Sequence, residues 1–562
     1  MKKSWKYEKQ SEEEVKRISE KFNISTLVAK VIVNRKFNND EEISNYLNAD
    51  ISKIYDPYLM EDMEKAVARI QKAIDNKEKV VIYGDYDVDG ITSITVLKKY
   101  FKDLGLEVGT YLPNRLDEGY GLNTTAIDKI VEQQISLIIT VDCGISAISE
   151  IDYANSKGVE VIVTDHHECG EVLPNAIAIV NPKRPNTKYP FLQLAGVGVA
   201  FKLIQAISMK LNLPEESYLK YIDIVCIGTI ADIVPLIDEN RIIAKYGLEK
   251  FKNTKNVGMK ALIRKCGFNK IDSGVISFGL SPRINACGRI RDPQKALDLF
   301  LVEDENEAQV LAAELDDANI ERQNIERKIF ENAKEIIENS NIKNDPIIVL
   351  GNDNWHHGVI GIVASKLVDL YSKPCILVCF EGEEGKSSGR SLPHFDLFNA
   401  VSSTADLLER FGGHEMAVGL TIKRENFEEF RKRLIEYTSN KIHGEYISEI
   451  TVDAVIKSSD ISLDVVEELK KLEPFGEKNP LPIFLYKNMK IEAIRTLSND
   501  RHLKLSLKDN QYVYDAIGFN LGELKNNFLC GNKVDVVHTL EINEFNGVKK
   551  IQINIKDIMK PA

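Results

Sequence analysis

The sequence contains no uncharged apolar stretch long enough to cross a bilayer. The nearest approach, residues 222–237 (IDIVCIGTIADIVPLI), is short and carries Asp223 and Asp232, which hydrocarbon would penalise. There is no C-x-x-C pair among the eight cysteines, and several of them sit inside apolar runs as small buried hydrophobes. That excludes a disulfide scaffold and indicates a reduced compartment. With 33 Gly and 17 Pro in 562 residues, a collagen-like chain is excluded as well. Basic excess is also missing: 73 Lys and Arg face 85 Asp and Glu, a net charge of −12. Nonspecific nucleic-acid binding over the whole surface is therefore not expected, although a local basic groove remains open. No low-complexity tract or internal repeat is visible. The opening MKKSWKYEKQSEEEVK is basic but has no apolar core, so no secretory signal is expected. A cytoplasmic, globular chain of about three to five domains follows.

Residues 1–75 read as a helical lead-in. From there, apolar runs at 79–83, 107–112, 136–142 and 159–164 alternate with helical stretches at 91–104, 123–134 and 146–156. Continuous β-branched runs alternating with helices predict an α/β unit with a parallel sheet over 76–294, its chemistry at the carboxyl ends of the strands. Residues 295–344 hold a charged, helical pattern free of Gly and Pro through 340. It predicts a long connecting helix, or two in line, with a coiled-coil dimer arm as the alternative. A second α/β block is expected at 345–445. An all-β barrel or sandwich is expected at 446–562, from alternating segments at 484–497, 502–508, 511–519, 533–542 and 548–556.

The strongest chemical signal follows the first strand: Gly84-Asp85-Tyr86-Asp87-Val88-Asp89-Gly90. Three carboxylates in five residues repel one another unless a cation sits among them. A calcium loop of the EF-hand type needs Glu at its twelfth position, and here that position is Val96. A solvated acidic turn is the bland alternative. Later strands end in Asp142-Cys143-Gly144 and in Asp165-His166-His167, and Asp232 lies in the apolar segment GTIADIVPL. Asp and His at successive strand termini converge on one rim. Such a mixed set suits Mn²⁺ or Mg²⁺, and several carboxylates can bridge two ions.

The second block supplies donors instead. Asn354-Trp355-His356-His357-Gly358 precedes an apolar helix whose first N–H groups can meet a phosphate. Ser388, Arg390 and His414 lie in KSSGRS and GGHE, where Gly412-Gly413 can equally be a simple tight turn. SPRINACGR (281–289) offers Arg283, Asn285 and Arg289; Arg is suited to bidentate phosphate contact, although Arg289 and Arg291 can also pair with Asp292. Six of the nine histidines fall at 166–167, 356–357, 394 and 414. In the tail, Phe484, Tyr486, Tyr512, Tyr514, Phe519 and Phe545 alternate with lysines and arginines, which fits either a stacking groove for single strands or an ordinary barrel core.

Together, GDYDVDGITS, LPNR, GYGL, DCG, DHH, GTIADIVPL, SPRINACGR and GGHEMAVG resemble the DHH phosphoesterase superfamily, and within it the bacterial single-stranded-DNA-specific exonucleases, over nearly the whole chain. The resemblance implies a catalytic DHH domain, a connecting helix, a DHH-associated domain and an oligonucleotide-binding (OB) fold. It implies two Mn²⁺ or Mg²⁺ ions held by Asp87, Asp89, Asp142, His166 and Asp232, with Asp142 bridging, and His167, with Asp165, facing the scissile phosphate. In the wider superfamily the first motif begins with His where Tyr83 stands here. Asp85 is the candidate to replace it, which leaves the division of labour among Asp85, Asp87 and Asp89 open. Arg115, Arg283, Ser388 and Arg390 match positions lining a pocket for a terminal phosphate, and all four are expected on loops, in Gly- or Pro-rich segments. The implied activity is 5′-to-3′ digestion of single-stranded DNA in repair and recombination. A monomer is expected, with single-strand-binding protein and a helicase as partners and no membrane. A phosphodiesterase for cyclic dinucleotides, and a silent scaffold of replicative helicases, are the rivals; the scaffold class lacks metal carboxylates that are all present here.

Overall fold

The computed structural model describes residues 3–114, 118–119, 121–441, 448–509 and 512–561. Arg115 and the side chain of Phe545 lie outside the described residues. Apolar, β-branched runs form five strands: β1 (Val80–Gly84), β2 (Val108–Tyr111), β3 (Leu137–Val141), β4 (Glu160–Thr164) and β5 (Ala178–Val180). They lie in the order β2-β1-β3-β4-β5, all parallel. Every residue of β1 and β3 is buried, because helices cover both faces. On one face lie Met63–Asn76, α1 (Val88–Asp103) and α2 (Gly196–Lys210); on the other lie Thr124–Glu132 and Ile148–Ser156. The chain leaves β1 sideways for β2 and then crosses back to β3. The crevice beyond the ends of β1 and β3 is thus the topological switch point, where such sheets bind ligands. Two further helices, α3 (Ile222–Ala231) and α4 (Asp238–Phe251), close the unit behind it.

The charged helical stretch divides in two. Gln294–Leu301 ends, and Asp304 then caps α5 (Glu305–Glu338) by accepting the N–H groups of Asn306 and Glu307, each at 2.9 Å. Along α5, Ala308, Leu311, Ala312, Leu315 and Ala318 belong to the first core, while Ile329, Ala333 and Ile337 belong to the second. Most of its apolar stripe is covered within the chain, as in a connecting helix, while Val310 and Ile320 stay exposed.

The second unit has β6 (Ile348–Asn352), α6 (His357–Tyr371), β7 (Cys375–Glu381), β8 (Glu384–Arg390), β9 (Leu408–His414) and β10 (Ala417–Lys423). The sheet order is β9-β10-β8-β7-β6, parallel only between β6 and β7. The third unit has β11 (Ala454–Ile456), β12 (Phe484–Leu497), β13 (His502–Lys508), β14 (Val513–Gly518), β15 (Lys533–Phe545) and β16 (Val548–Met559). The order β11-β12-β13-β14-β16-β15, with β12 also paired to β15, closes an OB-like barrel.

The lead-in is shared between two cores. Helices Glu12–Phe22, Thr26–Asn34 and Asp40–Asn48 pack into the barrel's core, whereas Met63–Asn76 packs under the parallel sheet. SPRINACGR, expected as a loop, is the helix Ser281–Ile290, entered through a π-helical turn at Ile276–Leu280; Pro282 stands in its first turn, where a missing N–H costs nothing. Among the described residues no helix is long and apolar enough to cross a membrane.

Candidate metal centre and phosphate-binding face

The acidic motif is placed by the strand-to-helix turn after β1. Asp87 caps α1: its Oδ1 accepts the N–H groups of Asp89 at 2.9 Å and Gly90 at 3.1 Å. Asp89, in the first turn, accepts Gly196 N–H at 2.6 Å and Val197 N–H at 2.8 Å. The positive end of the α2 dipole thus faces this carboxylate. Asp142 follows β3 with φ of 58°, a left-handed conformation that Asp tolerates better than most residues. His166 and His167 follow β4, and Asp232 is the C-cap of α3.

The carboxylates and imidazoles meet in three overlapping groups, each with ligand atoms within 4.8 Å of one another: Asp85, Asp87 and Asp142; Asp89, His166 and Asp232; and Asp142, His166 and His167. Asp142 belongs to two of them. His166 Nε2 approaches Asp142 Oδ1 at 3.1 Å, Asp232 Oδ2 at 3.7 Å and Asp89 Oδ2 at 3.9 Å. It is buried and makes no hydrogen bond with them or with any other atom. A buried imidazole nitrogen aimed without a bond into a ring of carboxylates is the donor set a hard divalent cation takes.

The electrostatics agree. Burial, then the charge of Asp87, raises Asp89 from 3.8 to about 7. Burial and the surrounding carboxylates raise Asp142 and Asp232 well above the usual range. Burial, then the charge of His167, lowers His166 to about 3, so its ring is neutral and offers a lone pair at neutral pH. Burial pushes His167 the same way, but its bond to Asp165 together with the charges of Asp165, Asp89 and Asp85 outweighs that and the net shift is upward.

Asp165 has a different task from its neighbours. Its Oδ1 accepts the N–H groups of His166 at 2.7 Å and His167 at 3.1 Å and pairs with His167 Nδ1 at 2.7 Å; its Oδ2 accepts Ile145 N–H at 2.9 Å. It orients His167 and joins none of the three clusters. Tyr83, in the slot of the superfamily's His, turns to the other face of the sheet, donates to Gly121 O at 2.8 Å and stacks on Tyr111 at 5.1 Å. Asp85 therefore completes the first cluster.

The second face gathers around the start of α6. His356 is its N-cap, with Nδ1 accepting Gly358 N–H at 3.2 Å, and its ring stacks parallel on His357 at 5.7 Å. Ser388 and Arg390 lie on strand β8, not on the expected loop. Arg390 donates to Ser388 Oγ at 3.1 Å and to Gly389 O at 2.7 Å. A Cβ built on Gly361 would stand 2.7 Å from Ser388 Oγ and 3.1 Å from Arg390 Nη2, so both rest against the first turn of α6. His414, opposite Ala417, which is opposite Arg390, shares that face of the sheet. Helix Ser281–Ile290 bridges to the acidic motif: a Cβ at Gly288 would lie 2.9 Å from Tyr86 O, and one at Gly358 would lie 2.3 Å from Arg289 O. Arg289 also donates to Gly358 O at 3.3 Å.

Two expected substrate residues work elsewhere. Arg283 is held by Asp316 of α5 at 2.8 Å and by Gly279 O at 2.6 Å, so it ties Ser281–Ile290 to the connecting helix. Asn285 accepts Val88 N–H at 3.1 Å and thereby steadies the start of α1. Arg291 pairs with Glu321 rather than Asp292. In the barrel, Phe484, Tyr486 and Tyr514 are core, whereas Tyr512 and Phe519 are each 53% exposed. The backbone donors Gly196 and Val197 escaped the sequence analysis; their only signal was a small-residue run, LAGVGVA, ahead of an apolar helix.

Acidic and imidazole side chains at the switch point of a parallel sheet, joined by a long helix to a second α/β unit, define a DHH phosphoesterase. Family models agree along the chain: DHH family, N-terminal domain at residues 79–229, DHHA1 domain at 344–440 and RecJ OB domain at 452–557. The single-stranded-DNA-specific exonuclease RecJ of Bacillus subtilis is 42% identical over 559 residues, covering 98% of this chain and 70% of the relative. That of Escherichia coli is 32% identical, covering 88% and 90%. The crystal structure of RecJ from Thermus thermophilus in complex with Mn²⁺ superimposes with a TM-score of 0.87 at 29% identity, covering 100% of this chain and 80% of that one. The chain belongs to the RecJ family.

Proposed function

We propose that this chain is a single-stranded-DNA-specific exonuclease that hydrolyses phosphodiesters from the 5′ end with two Mn²⁺ or Mg²⁺ ions and releases nucleotides. The observation that carries this is Asp142, shared between two ligand clusters, beside the unbonded Nε2 of His166. Bound divalent ions supply neutralising charge, a more acidic water and polarised phosphoryl oxygens. Asp85, Asp87 and Asp142 would hold one ion and Asp89, His166 and Asp232 the other, with Asp142 adjoining both groups. His167, oriented by the contact of its Nδ1 with Asp165, stabilises charge on the phosphate through its Nε2. Arg390, Ser388, His356, His357, Arg289 and His414, at the α6 N-terminus, read the terminal phosphate. Arg283 supports that face from behind.

Beside Asp232 runs a cleft of about 930 Å³ between the catalytic unit and the barrel, lined among others by Ile233, Phe278, Lys270, Phe475 and Lys549. It offers a single strand a path between the barrel strand at residues 540–544 and the residues that flank Asp232. This assignment places the protein in the cytoplasm as a monomer in DNA repair and recombination, receiving strands from a helicase and single-strand-binding protein. The test is purified protein with Mn²⁺ given 5′-labelled single strands, duplexes and cyclic dinucleotides in parallel. Release of 5′ label from single strands alone is expected; turnover confined to cyclic dinucleotides overturns the assignment.

A further inference from the structure

The turn after β5 carries a lysine that no part of the mechanism above uses. Asn181 is fully buried there: its Nδ2 donates to His167 O at 3.0 Å, and its Oδ1 accepts Lys183 N–H at 2.8 Å. The backbone of Lys183 is thereby fixed, through one side chain, to the backbone of His167. The Lys183 ammonium, 18% exposed, ion-pairs at 3.0 Å with Glu168, the residue after His167. Among the described residues Glu168 is its one ion-pair partner within 4.0 Å, and the carboxylate of Glu168 is 83% exposed. The charge of Lys183 is felt by both His166 and Asp232, lowering the pKa of each. Asn181 and Glu168 thus tie Lys183, by its backbone and its ammonium, to the His167–Glu168 segment that directly follows His166.

Resting on the exonuclease reading, we propose that Lys183 is a substrate-binding residue whose Nζ contacts a strand phosphate flanking the scissile one, with Glu168 as the partner it exchanges for that phosphate. The charges support it. Six carboxylates line the site, at Asp85, Asp87, Asp89, Asp142, Asp165 and Asp232. Two divalent ions would offset four of those six charges, so the site stays net negative toward an incoming polyanion. A half-sequestered ammonium paired only to a water-exposed carboxylate fills that gap. An exposed ion pair is weak, so exchanging it for a phosphate costs little, and the contact formed is charge-assisted. The Asn181 bond uses the Lys183 backbone, so a side-chain substitution leaves the turn intact.

The experiment compares the full-length protein with Lys183→Gln, Lys183→Arg and Glu168→Gln in Mn²⁺. Substrates are single strands with all linkages native, or with a neutral methylphosphonate at the second or third linkage from the 5′ end. Lys183→Gln is expected to lower kcat/KM on the native strand about 10- to 100-fold, the range for a lost charge-assisted bond. Mn²⁺ affinity by calorimetry should stay within about two-fold, Lys183→Arg should recover most of the rate, and Glu168→Gln should lower KM. At one of the two modified linkages wild type should fall to the level of Lys183→Gln, which is itself insensitive there. The deficit should persist on strands with a 5′-hydroxyl. If the losses multiply at both linkages, or the deficit vanishes on 5′-hydroxyl strands, the flanking contact is wrong. Failure of wild type to degrade the native strand would instead overturn the exonuclease reading itself.

Discussion

Removing divalent ions with a chelator should make the buried carboxylates of the metal site cost the protein stability as pH rises from about 4 to about 7. Asp89 carries a magnitude: burial, then Asp87, holds it at about 7 instead of 3.8. At about 1.4 kcal/mol per pKa unit, that rise corresponds to about 4 kcal/mol for this one group. The folded state keeps the proton that the unfolded chain has released, so this stability is fully present below the unfolded pKa. It is lost as pH climbs through the folded one. Asp142 and Asp232, raised in the same direction, steepen the fall, whereas His166, held at about 3, works against it up to about pH 6.5. Mn²⁺ should reverse the trend, because cations bind the ionised form. The assay is urea unfolding followed by circular dichroism at pH 4.5, 5.5, 6.5 and 7.5, with and without Mn²⁺. Asp142→Asn should abolish hydrolysis yet flatten the fall and raise stability at pH 7.5 in chelator. A wild type that loses no more stability than Asp142→Asn between pH 4.5 and 7.5 in chelator, or an Asp142→Asn protein less stable than wild type at pH 7.5, would refute the reasoning.

Three further outcomes are expected. Arg390→Ala should slow cleavage of 5′-phosphorylated strands about 10- to 100-fold more than of 5′-hydroxyl strands; equal slowing in parallel single-turnover assays would remove Arg390 from the terminal pocket. Asp165→Asn should lower the His167 pKa, since the bond and charge of Asp165 are the largest effects that raise it, and so move the alkaline limb of the pH–rate profile to lower pH; an unmoved limb would exclude protonated His167 from the chemistry. Tyr512→Ala with Phe519→Ala should weaken binding of long strands by about 1–3 kcal/mol per stacked base lost and leave dinucleotides unaffected, as read by fluorescence anisotropy and hydrolysis rates.

The fold class was legible because burial on both faces leaves continuous apolar runs, as in SLIITVD, and because barrel strands alternate. The short strand Ala178–Val180 was not legible: three residues carry too little pattern. The acidic motif, DCG and DHH could be read because each ends a strand, and a parallel sheet brings strand ends together whatever lies between them. The helix that carries Arg283 and Asn285 was not legible for the converse reason. SPRINACGR is rich in turn formers, and only tertiary packing against α1 and α5 makes it a helix with those side chains committed to Asp316 and Val88 N–H. Backbone donors such as Gly196 N–H leave no side-chain signature. The division of the lead-in was hidden because an amphipathic helix announces its buried face without saying which distant surface covers it.

That division sets a schedule for synthesis. Val15, Ile18, Leu27 and Val28 are covered by barrel residues such as Ile456, Phe484 and Leu505, and the last barrel strand ends at Met559. The first helix therefore leaves the ribosome about 500 residues before its partner is complete, an interval of about 25–100 s at roughly 5–20 residues per second. Throughout that interval the parallel-sheet unit can assemble independently around Met63–Asn76, while three sticky helices wait without cover. Nascent-chain holdases should accordingly engage the first 48 residues for longer than any other part of the polypeptide.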